Sequence, residues 1–250
     1  MLAQTKEFKM IKVAVMSDLH GNIEALNAVF VDVDALGIKR ILILGDLALM
    51  GPEPNKAIDF VRDVITRYDV DIIQGNTDLM IINDELPNVA DFVKNAILYS
   101  KENVSSENKE FLKSLSPQKS IKIGETSILM VHGSPRKIDE NILPGRLIEE
   151  VKPMLADVKE TLILCGHTHK PAGYQIEKQT VVNDGSVGRP MNGDRRSCYV
   201  VLDIDEEKPN CFSVEHRFVD YDYETAAAKL GAQNFDGAKI LEGMLLNPQA

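Results

Sequence analysis

What most restricts the fold is a repeated order of elements in the first part of the chain. Short apolar runs, each ending in a polar tip, alternate with longer stretches whose apolar residues recur at helical spacing. Ile11–Ser17 (IKVAVMS) reads as a strand and Asn22–Leu36 as the helix after it. Arg40–Leu44 (RILIL) is the next strand. Pro54–Tyr68 follows as a helix, with Pro52 and Pro54 suited to its start. Val70–Ile73 is the third strand. This βαβα order argues for an α/β layer fold with helices outside the sheet.

The rhythm then changes. Residues 83–117 are polar and helix-prone, with one helix expected near Ser106–Leu115. Two close strands, Ser120–Ile123 and Thr126–Val131, flank a Gly124-Glu125 turn. Pro144–Val158 reads as a helix and Thr161–Leu164 as a strand. Four more strands are expected at Gly173–Glu177, Thr180–Asn183, Cys198–Ile204 and Cys211–Val219, before closing helices at Glu224–Gly231 and Gly237–Leu246. The hairpins of this half make the sheet content mixed rather than purely parallel. No repeat, low-complexity tract or linker divides the chain. Residues 1–250 are expected to form one domain, with 1–10 as a loose lead-in and 83–117 as a helical insertion near a ligand cleft.

The strand ends carry the chemistry. The first leads into Asp18-Leu19-His20, the second into Gly45-Asp46, and the third into Gly75-Asn76-Thr77-Asp78. Later strands end in His132-Gly133 and Gly166-His167-Thr168-His169. In open α/β sheets, ligands bind beyond the carboxyl ends of the strands. Four of the five histidines lie in these tips, and histidine is a poor helix cap, so capping does not account for them. Residues i and i+2 of an extended chain point the same way, which would pair Asp18 with His20 and His167 with His169. Imidazole and carboxylate without thiolate suit divalent Mn, Fe, Co, Ni or Zn. Two aspartates, four histidines and an asparagine exceed what one ion needs, so two ions sharing a carboxylate is the economical reading.

Composition narrows the partners. A formal net charge of −10 opposes non-specific binding to nucleic acid or anionic membrane, although metal cations can reverse the field inside one cleft. No apolar run approaches the roughly 20 residues needed to span a bilayer. The first ten residues lack the apolar core of a signal peptide, so a cytoplasmic location is expected. Cys165, Cys198 and Cys211 form no CxxC pair. Cys165 and Cys198 read as small buried side chains of a reducing compartment.

In this order, the motifs DLH (Asp18–His20), GDLALMG (Gly45–Gly51), GNTD (Gly75–Asp78), VHGSP (Val131–Pro135) and GHTH (Gly166–His169) resemble those of the calcineurin-like metallophosphoesterase superfamily. NDGSVGRP, Asn183–Pro190, is similar to a further stretch of that family, NPGSVG. The likeness extends to its small bacterial and archaeal branch, which includes phosphodiesterases and the fold of a retromer subunit.

The resemblance implies a sandwich of two mixed β-sheets flanked by α-helices, with metals at one edge. It implies that Asp18, His20 and His169 hold a first ion. Asn76, His132 and His167 would complete a second site, and Asp46 would bridge the two. The cofactor would be two divalent ions, manganese first, with Fe, Ni, Co or Zn as alternatives. The activity would be hydrolysis of a phosphate-ester substrate by activated water, with Asp46, Asn76, Thr77, Asp78 and His132 in the catalytic set. Thr77 departs from the family's GNHD pattern, where a histidine assists the leaving group. A threonine hydroxyl is a poor general acid near pH 7, so diesters or activated esters are expected to be preferred. Asp184, where the family commonly has proline, is a second departure.

Two other readings compete. One is a non-catalytic scaffold of the same fold; the other is a module that senses nucleotide or phosphate without turnover. The oligomeric state stays open, a homo-oligomer included. Arg136, Lys137, Arg189, Asp194, Arg195 and Arg196 lie near the same edge and read as solvated surface charge. His216 reads as a partly buried strand residue.

Overall fold

The computed structural model describes residues 9–249, so the lead-in expected over 1–10 falls almost wholly outside the described residues. The first half contains β1 (Met10–Met16), α1 (Ile23–Ala35), β2 (Arg40–Ile43), α2 (Pro54–Arg67), β3 (Asp69–Ile72), α3 (Asn76–Ile82), α4 (Asp91–Asn103) and α5 (Ser106–Ser114). Then come β4 (Gln118–Ile123), β5 (Thr126–Val131), α6 (Ile148–Val151), β6 (Leu162–Cys165), β7 (Ala172–Ile176), β8 (Gln179–Asn183), β9 (Ser197–Asp205), β10 (Phe212–Val219), α7 (Tyr223–Gly231) and α8 (Ala238–Leu246).

The strands form two five-stranded mixed sheets, ordered β10-β9-β1-β2-β3 and β4-β5-β6-β8-β7. β1, β2 and β3 run parallel, as do β5, β6 and β8; hairpin partners and β9 supply the antiparallel pairs.

Side-chain alternation makes these sheets a sandwich. Val13, Val15 and Leu42 of one sheet meet Ile128, Met130, Leu162 and Leu164 of the other in a shared core. The intervening residues Ala14, Met16, Ile41 and Ile43 pack outward under α1 and α2. Leu129, Val131, Ile163 and Cys165 pack outward under the region of α6. Burial on both faces explains why these strands read as unbroken apolar runs. Among the described residues, no helix is long and apolar enough to cross a membrane.

Three helical regions differ from expectation. The helix expected over Pro144–Val158 is only α6 followed by a 3-10 turn, Lys152–Leu155. Pro153 offers no N–H to continue an α-helical ladder, and Gly145 holds a left-handed backbone (φ 78°) before α6 begins. The Gly75–Asp78 tip opens directly into α3, and the 83–117 insertion holds two helices, α4 and α5, that pack against α3. The insertion therefore meets the strand ends through α3.

Candidate metal centre

The carboxyl ends of β1, β2, β5 and β6 come together at one edge of the sandwich and are bonded to each other by backbone. Asp18 N–H donates to the Gly45 carbonyl at 3.0 Å, and His20 N–H to the Asp46 carbonyl at 3.0 Å. Gly166 N–H donates to the His132 carbonyl at 2.9 Å, and Gly188 N–H to the Asp18 carbonyl at 2.9 Å. The tips are not extended, which corrects the alternation argument. Asp18, His20, Asp46, His167 and His169 all adopt left-handed backbone, with φ of 53°, 43°, 57°, 67° and 57°. Such conformations cost on the order of 1 kcal/mol each and persist only where surrounding bonds enforce them.

Asp18, His20, Asp46 and His169 are buried and offer ligand atoms within 4.8 Å of one another. His169 Nε2 lies 3.1 Å from Asp18 Oδ1, and His20 Nε2 lies 3.8 Å from both Asp18 Oδ1 and Asp46 Oδ2. His132 Nε2 adjoins this group, 3.4 Å from Asp46 Oδ2 and 3.9 Å from Asp18 Oδ1. Asp46 Oδ2 is thus within 4 Å of both His20 Nε2 and His132 Nε2.

The imidazoles are oriented from behind. His20 Nδ1 contacts the Leu49 carbonyl at 2.6 Å, His132 Nδ1 the Leu44 carbonyl at 2.7 Å, and His169 Nδ1 the Arg189 carbonyl at 2.5 Å. A carbonyl only accepts, so each Nδ1 donates, and Nε2 is the ring nitrogen turned toward the aspartates. His20 Nε2 and His169 Nε2 are 3.1 Å apart. Two lone pairs at that distance repel, and a cation between them converts repulsion to coordination. Two nitrogens each about 2.1 Å from one metal can lie at such a separation, so the spacing would suit a shared cation.

His167 stands apart from this group. Its ring meets that of His132 edge-on with centroids 5.2 Å apart, and its Nε2 reaches the Asp139 carbonyl at 3.1 Å, which leaves Nδ1 as its free nitrogen. Asp18 Oδ1, Asn76 Oδ1 and His132 Nε2 are buried with no hydrogen-bond partner among the described residues. Three expected ligand atoms are therefore the ones left for a cation to satisfy, and the residues present fit a divalent metal.

Charge coupling agrees. Burial would raise the pKa of Asp46, but the facing His132 outweighs it and lowers the net value. Burial would lower His132, yet Asp46 and then Asp18 raise it to about 10. Burial and the neighbouring His169 push His20 down to about 4. Without metal, the aspartates thus attract a proton to His132, the place a cation would take.

Asp78 does not face this group. Its Oδ2 accepts from Asp46 N–H and Gly75 N–H, and its Oδ1 from Leu47 N–H, each at 2.9 Å. It shapes the loop that presents Asp46. Burial and then the charge of Asp46 raise its pKa to about 7. Thr77 N–H donates to Asp46 Oδ1 at 2.8 Å, while Thr77 Oγ1 is buried and unpaired among the described residues.

Glycine is required at position 75: a Cβ there would lie 2.1 Å from Asp46 Oδ1 and 2.3 Å from Asp46 N. Gly75→Ala is expected to displace Asp46 and weaken metal affinity by about 10- to 100-fold, measured by calorimetric titration.

Arg189 is the residue that sequence reasoning misjudged. It is buried, not solvated. Its guanidinium donates to the sulfurs of Met50 (3.4 Å) and Met244 (3.2 Å), and burial lowers its pKa to about 10. Its carbonyl is the acceptor that orients His169. No sequence signal marked it, because an arginine held by thioethers has no pattern. Of the other basic candidates, Arg136 pairs with Glu140, Lys137 with Asp139 and Arg196 with Asp194 at the surface, as expected, and Arg195 donates to the Tyr223 hydroxyl at 3.1 Å. His216, partly buried on edge strand β10, contacts the Asn183 carbonyl at 2.8 Å. Cys165 is fully buried and its thiol is pushed up by burial, which leaves it inert.

Known proteins place this geometry. The chain is 31% identical over 236 residues to an uncharacterised protein of Methanocaldococcus jannaschii, covering 87% of this chain and 91% of that protein. A hypothetical protein of Pyrococcus horikoshii shares the fold with TM-score 0.87 at 22% identity, over 96% of this chain and 100% of that one. A metallophosphoesterase of Sphaerobacter thermophilus shares it with TM-score 0.75 at 24% identity, over 96% and 100% of the two chains. Residues 11–207, which hold every strand end described above, match the calcineurin-like phosphoesterase superfamily domain, and the chain belongs to that superfamily.

Proposed function

We propose that the protein hydrolyses phosphate esters with two divalent metal ions, manganese first, and prefers phosphodiesters. Asp18, His20 and His169 hold one ion, Asn76, His132 and His167 the other, and Asp46 serves both. The observation that carries this reading is that Asp46 Oδ2 is near one nitrogen of each ligand set, 3.8 Å from His20 Nε2 and 3.4 Å from His132 Nε2. When bound, such a pair of ions supplies Lewis-acid charge to phosphoryl oxygens and lowers the pKa of water.

The chain's own residues do the rest. The backbone carbonyls of Leu49, Leu44 and Arg189 fix three imidazoles, so ligand geometry is set before substrate arrives. Asp78 fixes the Asp46 loop through three N–H groups. Thr77, whose hydroxyl is buried and unpaired among the described residues, stands where a histidine would supply the leaving group's proton. It cannot protonate a poor leaving group effectively near pH 7, which supports esters whose leaving group departs as a stable anion.

Metal-stripped protein given Mn, Ni, Co or Zn is expected to cleave bis-p-nitrophenyl phosphate faster than p-nitrophenyl phosphate. Thr77→His should raise kcat on an alkyl monoester such as glycerol phosphate about tenfold or more, by restoring an acid near neutral pKa, and change that on p-nitrophenyl phosphate little. An unchanged ratio of diester to alkyl-monoester turnover in that variant would sink the role given to Thr77.

A further inference from the structure

Asp184 is the second departure from the motif pattern, and its surroundings are unusual. It is buried at the end of β8, with its N–H donating to the Cys165 carbonyl at 3.0 Å. Its Oδ2 has no hydrogen-bond partner, and no lysine, arginine or histidine forms an ion pair with it among the described residues. Its Oδ1 lies 2.8 Å from Ser17 Oγ, and the same Ser17 Oγ lies 2.5 Å from Asp18 Oδ2.

We propose that Asp184 is held as a neutral carboxylic acid and acts as a positioning residue, aiming Asp18 at the metal centre through Ser17. The inference rests on the reading of Asp18 as a metal ligand.

A serine hydroxyl carries one proton. If both carboxylates were ionised, one of these two short contacts would set a serine lone pair against a carboxylate oxygen with no hydrogen between them. Asp18 is the one that stays ionised: its Oδ2 also accepts His167 N–H at 2.9 Å, and its Oδ1 faces three imidazoles. The second proton therefore belongs to Asp184, which donates to Ser17 Oγ, while Ser17 donates to Asp18 Oδ2. Burial, and then the charge of Asp18, raise the pKa of Asp184 well above the carboxylate range, in keeping with this count. With Oδ2 held by Ser17 and His167, Asp18 has only Oδ1 to offer a cation, and Oδ1 is the atom left without a partner.

The test combines infrared difference spectroscopy with calorimetric titration by manganese. Wild-type protein at neutral pH should show the C=O stretch of a buried protonated carboxyl that Asp184→Asn removes. Asp184→Asn should keep manganese affinity within about twofold, because its amide N–H donates to Ser17 as the acid does. Asp184→Ala and Ser17→Ala should each weaken affinity about tenfold, and the double variant no more than Ser17→Ala alone. No carboxyl band lost in Asp184→Asn, or full additivity of the two alanine effects, would overturn the proposal. The band is read without metal or turnover. Failure of wild-type protein to bind manganese would instead overturn the metal reading beneath it.

Discussion

Asp46→Asn should lose about 10³-fold or more in turnover of a phosphodiester while keeping its fold. The amide retains Oδ1 for the Thr77 N–H, so the loop has its anchor. The other atom, near His20 and His132, becomes an NH₂ that cannot coordinate. On the proposed two-ion reading, the loss of one negative charge would also weaken the site's hold on its second ion. Steady-state kinetics with metal content measured in parallel checks this. A variant within tenfold of wild type, with the same metal content, would contradict a bridging role for Asp46.

The second large effect falls on stability. Asp78→Ala leaves three buried N–H groups, those of Asp46, Leu47 and Gly75, with no acceptor. Each unsatisfied buried donor costs about 1–3 kcal/mol, so a loss on the order of 3–5 kcal/mol is expected after partial relaxation. For a chain of this size that lowers Tm by about 10 °C, readable by calorimetry. Metal affinity should fall with it, because the loop that loses support carries Asp46. An unchanged Tm would show that the three bonds are replaced by water at no cost.

Much of this was legible in the sequence because it depends on local rules. The apolar runs and helical spacings located every strand of the two sheets. The clustering of Asp and His at strand ends marked the edge where the centre lies. What the sequence concealed depends on three-dimensional partners. The convergence of Asp18 with His20 was anticipated through extended alternation, whereas left-handed backbone achieves it. Asp and His tolerate left-handed backbone better than most residues, but which of them adopt it is set by bonds between distant tips. Arg189 read as surface charge, because a solvated arginine and one buried against Met50 and Met244 look alike in one dimension. Pro153 withholds one N–H, and the helix expected over Pro144–Val158 is cut to α6 and a 3-10 turn. Asp184 gained meaning only when the fold brought it to Ser17, 167 positions away in sequence.

The central claim is that two metal ions at one sheet edge drive phosphoester hydrolysis. Its most direct test follows bis-p-nitrophenyl phosphate hydrolysis while metal-stripped protein is titrated with manganese. Turnover should be absent at the start and rise to a plateau at two equivalents per chain. A plateau at one equivalent would contradict the dinuclear centre, and metal binding with no turnover at any ratio would contradict the hydrolytic function itself.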